Sequence, residues 1–250
     1  MTGELSVVPD SGAVGRAAAS IFVEDAGREI ALNGRFTVAI SGGITPKGFF
    51  KLLASEEFRS QVDWGRIHFF WADERCVPPA DIDSNYGSAY NTMLSKLPVP
   101  PENIHRIKGE LEPEAAASAY EAELRAFFGG DTAPRFSLIY LGVGDDGHTA
   151  SLFPGSDALE EKNRLAVAVY SEPLKSRRVT LTLPVLNNAA RVVFLVSGKS
   201  KARIVKEVIE GGPGNSPYPA GLVSPGDERL VWLLDREAAS MLEAGEGRGL

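Results

Sequence analysis

Apolar residues along this chain fall into two alternating patterns: short unbroken runs rich in β-branched and aromatic side chains, and longer stretches with helical spacing. In residues 13–32, AVGRAAASIFVEDAGREIAL, the residues Val14, Ala17, Ala18, Ile21, Phe22 and Ile30 share one helical face, and Gly34 supplies a stop. FTVAI at 36–40 reads as a strand that ends in Ser-Gly-Gly. The helix after it is expected to take Thr45 as its cap and Pro46 in its first turn, where a missing N–H costs nothing.

The alternation continues. Strands are predicted at 66–71, within RFSLIYLGVG, and at 165–170, 178–183, 191–197 and 230–235. Helices are predicted at about 86–95, 113–128, 199–210 and 236–243. That order implies one α/β domain over residues 1–250, a doubly wound, mostly parallel sheet flanked by helices. In such sheets ligands bind outside the carboxyl ends of the strands, so the polar turns there carry the chemistry. EGGPGNSPYPAG at 210–221 reads as a surface loop over the site or on its rim, and the tail AGEGRGL as frayed.

Four of these turns stand out. Ser41–Pro46, SGGITP, converges backbone N–H groups at a helix start, a place suited to a phosphate, although an ordinary tight turn would look the same. LGVGDDG formally matches the dinucleotide fingerprint. Two aspartates where a pyrophosphate would sit, and Pro154 in the expected helix, argue against that reading. The glycines instead expose Asp146 and His148: an imidazole is matched to taking a proton from water near neutral pH, and a carboxylate can orient it. The bland alternative is a histidine that merely caps the turn. His68 and His105 stand in strand-like surroundings and read as structural.

WADERCVPPADIDSNYG ends a strand with Asp73, Glu74 and Arg75 and brings Ser84 and Asn85 to a helix start. Arg75 can grip a phosphate bidentately, or else pair within its own loop with Asp73 or Asp81. Lys199 and Lys201 sit in a first helical turn, where cations oppose the dipole unless an anion joins them, and Arg178 adds a further cation.

Composition narrows the class. With 26 Lys and Arg against 33 Asp and Glu the formal charge is −7, which argues against a nucleic-acid or anionic-membrane surface. The single cysteine, Cys76, excludes an intramolecular disulfide and reads as a small packed residue rather than a nucleophile. No apolar run is long enough to span a membrane, and the N-terminus lacks the features of a leader, so a cytoplasmic protein is expected.

Taken in order, SGGITP, WADERCVP with DSNYG, LGVGDDGHTASLFPGS, RVTLTLPVLNNA and SGKSKA resemble the 6-phosphogluconolactonase family, of the same superfamily as the glucosamine-6-phosphate deaminases. The resemblance implies hydrolysis of 6-phospho-D-glucono-1,5-lactone in the oxidative pentose phosphate pathway, without metal or organic cofactor. It makes His148 the general base, with Asp146 beside it. It assigns the phosphate to Ser41, Gly42 and Gly43 with Arg75 and Lys201, and Arg178 less directly. Thr45, Asp73 and Asn85 complete the expected substrate-binding set. Ile44 departs from the family, which usually has a small polar residue there.

The partner is then a sugar-phosphate lactone, bound by a monomer that takes neither nucleic acid nor membrane. Two rivals remain. Deaminases read D-G-H-I-A-F-N-E-P where this chain has DGHTASLFP; Leu152 and Phe153 cannot do the proton work of the missing glutamate. A sensor that binds phosphosugars without turnover would have no need of the Asp146–His148 pair.

Overall fold

The computed structural model describes residues 3–130, 132–172, 175–211, 216–226 and 230–242. In chain order the elements are β1 (Glu4–Val8), α1 (Ser11–Asn33), β2 (Phe36–Ile40), α2 (Ile44–Leu53), α3 (Glu56–Arg59), β3 (Ile67–Trp71), β4 (Asp73–Arg75), α4 (Asn85–Thr92), β5 (Ile104–His105), α5 (Pro113–Phe128), β6 (Leu138–Leu141), β7 (Ala166–Ser171), β8 (Ser176–Leu181), α6 (Leu183–Asn187), β9 (Val192–Val196), α7 (Ala202–Glu210) and β10 (Leu230–Asp235).

Local chemistry sets the boundaries of α1. Asp10 accepts the Ala13 N–H at 2.9 Å, and Gly34, at φ 76°, returns its N–H to the Ile30 carbonyl. The apolar face of α1 then places Phe22 against Phe36, Phe49, Trp64 and Phe69 on one side of the sheet. Emptying such a site, as in Phe22→Ala, costs about 3–5 kcal/mol in well-packed cores.

Seven strands form a parallel sheet in the order β1-β10-β9-β6-β2-β3-β5. From β2 the chain proceeds to β3 and β5 on one side, and from β6 to β9 and β10 on the other. The strand order therefore reverses between β2 and β6, which pair through Ala39 and Ile139. At such a switch point neighbouring turns diverge and leave a crevice.

β4, β8 and β7 form a separate antiparallel sheet. The predicted strands at 165–170 and 178–183 thus exist but lie outside the parallel sheet, because the few residues between them permit a hairpin and not a crossover. Ala72 joins the layers: its N–H goes to Ile40 and its carbonyl accepts the Leu181 N–H.

Other expectations are corrected. Residues 236–242 form turns where a helix was expected; the buried Asp235 carboxylate takes the Ala238 N–H at 2.7 Å, an aspartate turn that competes with helical bonding. β1, β4 and β5 went unpredicted, being too short or too polar to show a period. The tail 244–250 and positions 212–215 of the 210–221 segment lie outside the described residues; within the rest of that segment, Pro219, Ala220 and Gly221 are buried in a 3-10 turn. Among the described residues no helix is long and apolar enough to cross a membrane.

Candidate active site

Three adjacent strand ends, those of β2, β6 and β9, open into one crevice of about 410 Å³. Its walls include Ser41, Gly42, Gly43, Thr45, Asp73, Arg75, Asn85, His148, Arg178 and Lys201. Every residue expected to bind substrate is therefore at the crevice, and Asp146 stands behind His148 and outside the lining.

The β6 turn is built to present the imidazole. Gly147, at φ 79°, closes it with an N–H to the Gly144 carbonyl, and the Gly144 N–H reaches the His148 carbonyl at 2.8 Å. Gly144 has no alternative, since a Cβ there would lie 2.1 Å from His148 Nδ1. Asp146 Oδ1 accepts both the His148 backbone N–H at 3.1 Å and the ring Nδ1 at 2.5 Å.

A carboxylate acceptor fixes the proton on Nδ1, which leaves Nε2 with a free lone pair. Burial works to raise the Asp146 pKa, but the backbone N–H of His148, its charge and its ring hydrogen bond together hold that carboxyl below its ordinary value. Behind the turn there is no helix: Thr149 and Leu152 bridge each other, and Ala150 takes a positive φ of 48°. The dinucleotide reading fails on that geometry, which lacks the helix a pyrophosphate needs.

The β2 turn forms the opposite wall. Gly43, at φ 117°, is the N-terminal boundary of α2 and offers no side-chain cap. Thr45 is not the cap that the sequence suggests: it lies inside the helix, and its hydroxyl meets Ser197 Oγ on the β9 turn at 3.0 Å. Gly42 is required because Asn85 occupies the space a side chain would need, with Asn85 Oδ1 only 1.9 Å from where a Cβ would stand.

Asn85 is held from behind. Its amide donates to the Asp73 carbonyl at 2.9 Å, and α4 is fixed by the buried Glu74 carboxylate, which accepts the backbone N–H groups of Arg75, Asn85 and Tyr86. Burial raises the Glu74 pKa against those three bonds. Asp73 itself is enclosed: Ser151 Oγ donates to it at 2.7 Å, Asn85 approaches at 3.3 Å and Arg178 at 3.8 Å. It orients neighbours and leaves little free for a ligand.

The cations follow from the small sheet. Arg75 on β4 and Arg178 on β8 are direct cross-strand partners, a like-charge pairing that is unfavourable on its own. Burial lowers the Arg178 pKa, Asp73 raises it, and Arg75 lowers it further. Arg75 bonds the Asp83 carbonyl rather than Asp73 or Asp81, and Lys201 Nζ lies 2.6 Å from Asp145 Oδ1. Lys199 is exposed and does not reach the crevice lining.

Among the described residues, four buried side-chain polar atoms lack a hydrogen-bond partner, and three of them belong to crevice residues: Ser41 Oγ, Arg75 Nε and Arg178 Nε. All three can donate. Buried donors left unpaired are costly, and three of them on crevice residues beside a cation pair would suit an anion with several oxygens.

Several contributors have no signal in the sequence. Phe153 packs against His148 with ring centroids 4.8 Å apart and planes tilted by 48°, and lies under the Arg178 guanidinium at 5.9 Å, so one aromatic ring contacts both. Asp145 and Ser151 act through contacts 56 and 78 residues distant along the chain. A regular short spacing would have revealed them; none exists.

The remaining titratable groups lie elsewhere. His68 on β3 and His105 on β5 pack among Phe70 and Phe127, away from the crevice lining, as their strand-like context implied. Burial pushes the Cys76 thiol up to about 11, which removes it as a thiolate at neutral pH. Among the described residues no three His, Cys, Asp or Glu side chains gather as a metal-binding group.

The chain matches, over residues 9–232, the family described as glucosamine-6-phosphate isomerases/6-phosphogluconolactonase. It is 44% identical over 218 residues to the chloroplastic 6-phosphogluconolactonase 3 of Arabidopsis thaliana, which covers 84% of this chain and 66% of that one. It is 38% identical to the 6-phosphogluconolactonase of Homo sapiens, covering 96% and 94% of the two chains. Among solved structures, 6-phosphogluconolactonase from Trypanosoma cruzi superimposes with a TM-score of 0.85 at 27% identity, covering 98% and 99%. Sequence, fold and crevice agree, and this chain belongs to the glucosamine-6-phosphate isomerase/6-phosphogluconolactonase family.

Proposed function

We propose that the chain, acting as one domain and as a monomer, hydrolyses 6-phospho-D-glucono-1,5-lactone to 6-phosphogluconate, with His148 as general base. One observation carries this reading: an imidazole held at Nδ1 by Asp146 shares its crevice with three unpaired buried donors suited to a phosphate.

His148 Nε2 takes a proton from water, and the resulting hydroxide adds to the lactone C1 carbonyl. The tetrahedral intermediate carries its charge on the former carbonyl oxygen, with the backbone N–H groups of the glycine turns as the donors at hand. Collapse breaks the bond from C1 to the ring oxygen, which receives the proton from His148. Asp146 stabilises the imidazolium formed in between. The phosphate does not react; its capture by Ser41, Gly42, Gly43, Arg75, Arg178 and Lys201 positions C1 at the base. All these groups come from a single chain, in keeping with a monomer, and a lone half-buried thiol without a disulfide suits a reducing cytoplasm.

A deaminase reading is disfavoured because Leu152 and the ring of Phe153 fill the place where that chemistry needs a second acid, both of them buried. Fresh lactone incubated with the purified protein should release acid well above the spontaneous rate, and the unphosphorylated lactone should be a poor substrate. Equal use of the two lactones would remove the phosphate cradle, and no release above background would leave only a binding protein.

A further inference from the structure

Two consecutive acids on the β6 turn do different work. Asp146 folds back onto His148, whereas Asp145 reaches to the turn after the neighbouring strand β9 and holds Lys201 Nζ at 2.6 Å. The lysine side chain is three-quarters covered, while that of Asp145 is 79% exposed. Lys201 ends the 3-10 turn that leads into α7, so it faces the positive end of that helix and needs an anion beside it. In the free protein Asp145 is that anion.

We propose that Asp145 is an internal competitor for Lys201: its carboxylate occupies the lysine until a phosphate displaces it, and so sets the strength and charge selectivity of phosphate capture. This rests on the phosphate cradle proposed above. An exposed carboxylate regains its hydration on release, so displacement is cheap, on the scale of an exposed ion pair. A phosphate dianion brings two charges and several acceptor oxygens, and it can engage Ser41 and the arginines while it takes the lysine. A simple carboxylate offers Lys201 no more than Asp145 already does.

The test is calorimetric titration of the full chain with inorganic phosphate and, separately, with acetate, alongside lactone kinetics. Asp145→Asn should tighten phosphate binding about three- to fivefold, the scale of an exposed pair, lower the lactone KM in parallel and make acetate binding measurable. Asp145→Glu should restore the parent values. Damage to the fold would weaken binding, so a gain cannot arise from it.

Lys201→Met should weaken phosphate binding about tenfold or more, and Asp145→Asn in that background should change nothing further. Asp83→Asn removes a carboxylate that also acts on Arg178 but does not hold Lys201, and should leave phosphate binding within about twofold. Unchanged phosphate affinity in Asp145→Asn, or the same tightening without Lys201, overturns the proposal. If the unaltered chain binds no phosphate, the cradle itself is wrong, an outcome distinct from both.

Discussion

Asp146 Oδ1 accepts two hydrogen bonds from one residue, the backbone N–H of His148 at 3.1 Å and its ring Nδ1 at 2.5 Å. The carboxylate thereby fixes both where the histidine starts and which way its ring points. His148→Ala should reduce kcat by about 10² to 10⁴, the range for loss of a general base, with KM and thermal stability nearly unchanged. Single-turnover measurements on the purified variant check this, and full activity would remove His148 from the mechanism.

Asp146→Asn keeps the shape and loses the charge, and its amide can present the wrong hydrogen-bonding partner to the ring. A fall in kcat of about 10- to 10³-fold is expected, since the correct tautomer is no longer enforced. The Asp146 carboxyl is held below its ordinary value, so its stabilising link is complete above the ordinary carboxyl range and is lost as pH falls through the lower folded value. The stability difference between parent and variant should therefore be widest at neutral pH and close in strong acid, as read from denaturation midpoints.

Arg75→Met and Arg178→Met should each raise the lactone KM far more than they lower kcat, because the phosphate is a handle and not a reacting group. Removing Arg75 also relieves the cross-strand repulsion between the two, so thermal stability should hold or rise slightly in Arg75→Met, whereas Arg178→Met also takes the cation from beside the buried Asp73 and should lower it. A kcat loss with unchanged KM would instead place that arginine at the oxyanion.

Gly42→Ala would drive a methyl into Asn85, whose amide is tied to Asp73 and cannot simply swing away. The cost should be about 1–3 kcal/mol of stability, typical of overpacking, together with a raised KM. The double variant with Asn85→Ala should lose less than the sum of the two singles, because the clash has gone. Additive losses would show that the contact is not the constraint.

Away from the site, burial, with help from the charges of His105 and Arg35, pushes the His68 pKa down to about 4. The unfolded chain takes up that proton near the ordinary 6.5 and the folded chain only near 4, so stability is retained above 6.5 and declines as pH falls between the two values. Melting temperatures of His68→Phe across this window should fall less steeply than those of the parent.

The linear chain already determined much of this protein. The runs at 36–40, 192–196 and 230–235, apolar but for Thr37 and Asp235, are buried from end to end, as short runs rich in β-formers are when they become strands covered on both faces. The turns after β2, β6 and β9 could be singled out in the sequence because glycines, acids and lysines there mark polar turns at the strand ends where such sheets bind ligands. Tertiary structure decided the rest. It placed those turns side by side by reversing strand order between β2 and β6, set Arg75 opposite Arg178, and moved Thr45 from cap to bridge. It also brought Phe153 beneath both His148 and Arg178, and Asp145 onto Lys201. Periodicity reports which face of an element is buried, because burial repeats with the backbone. Contacts between turns repeat with nothing, and exist only once the sheet has closed.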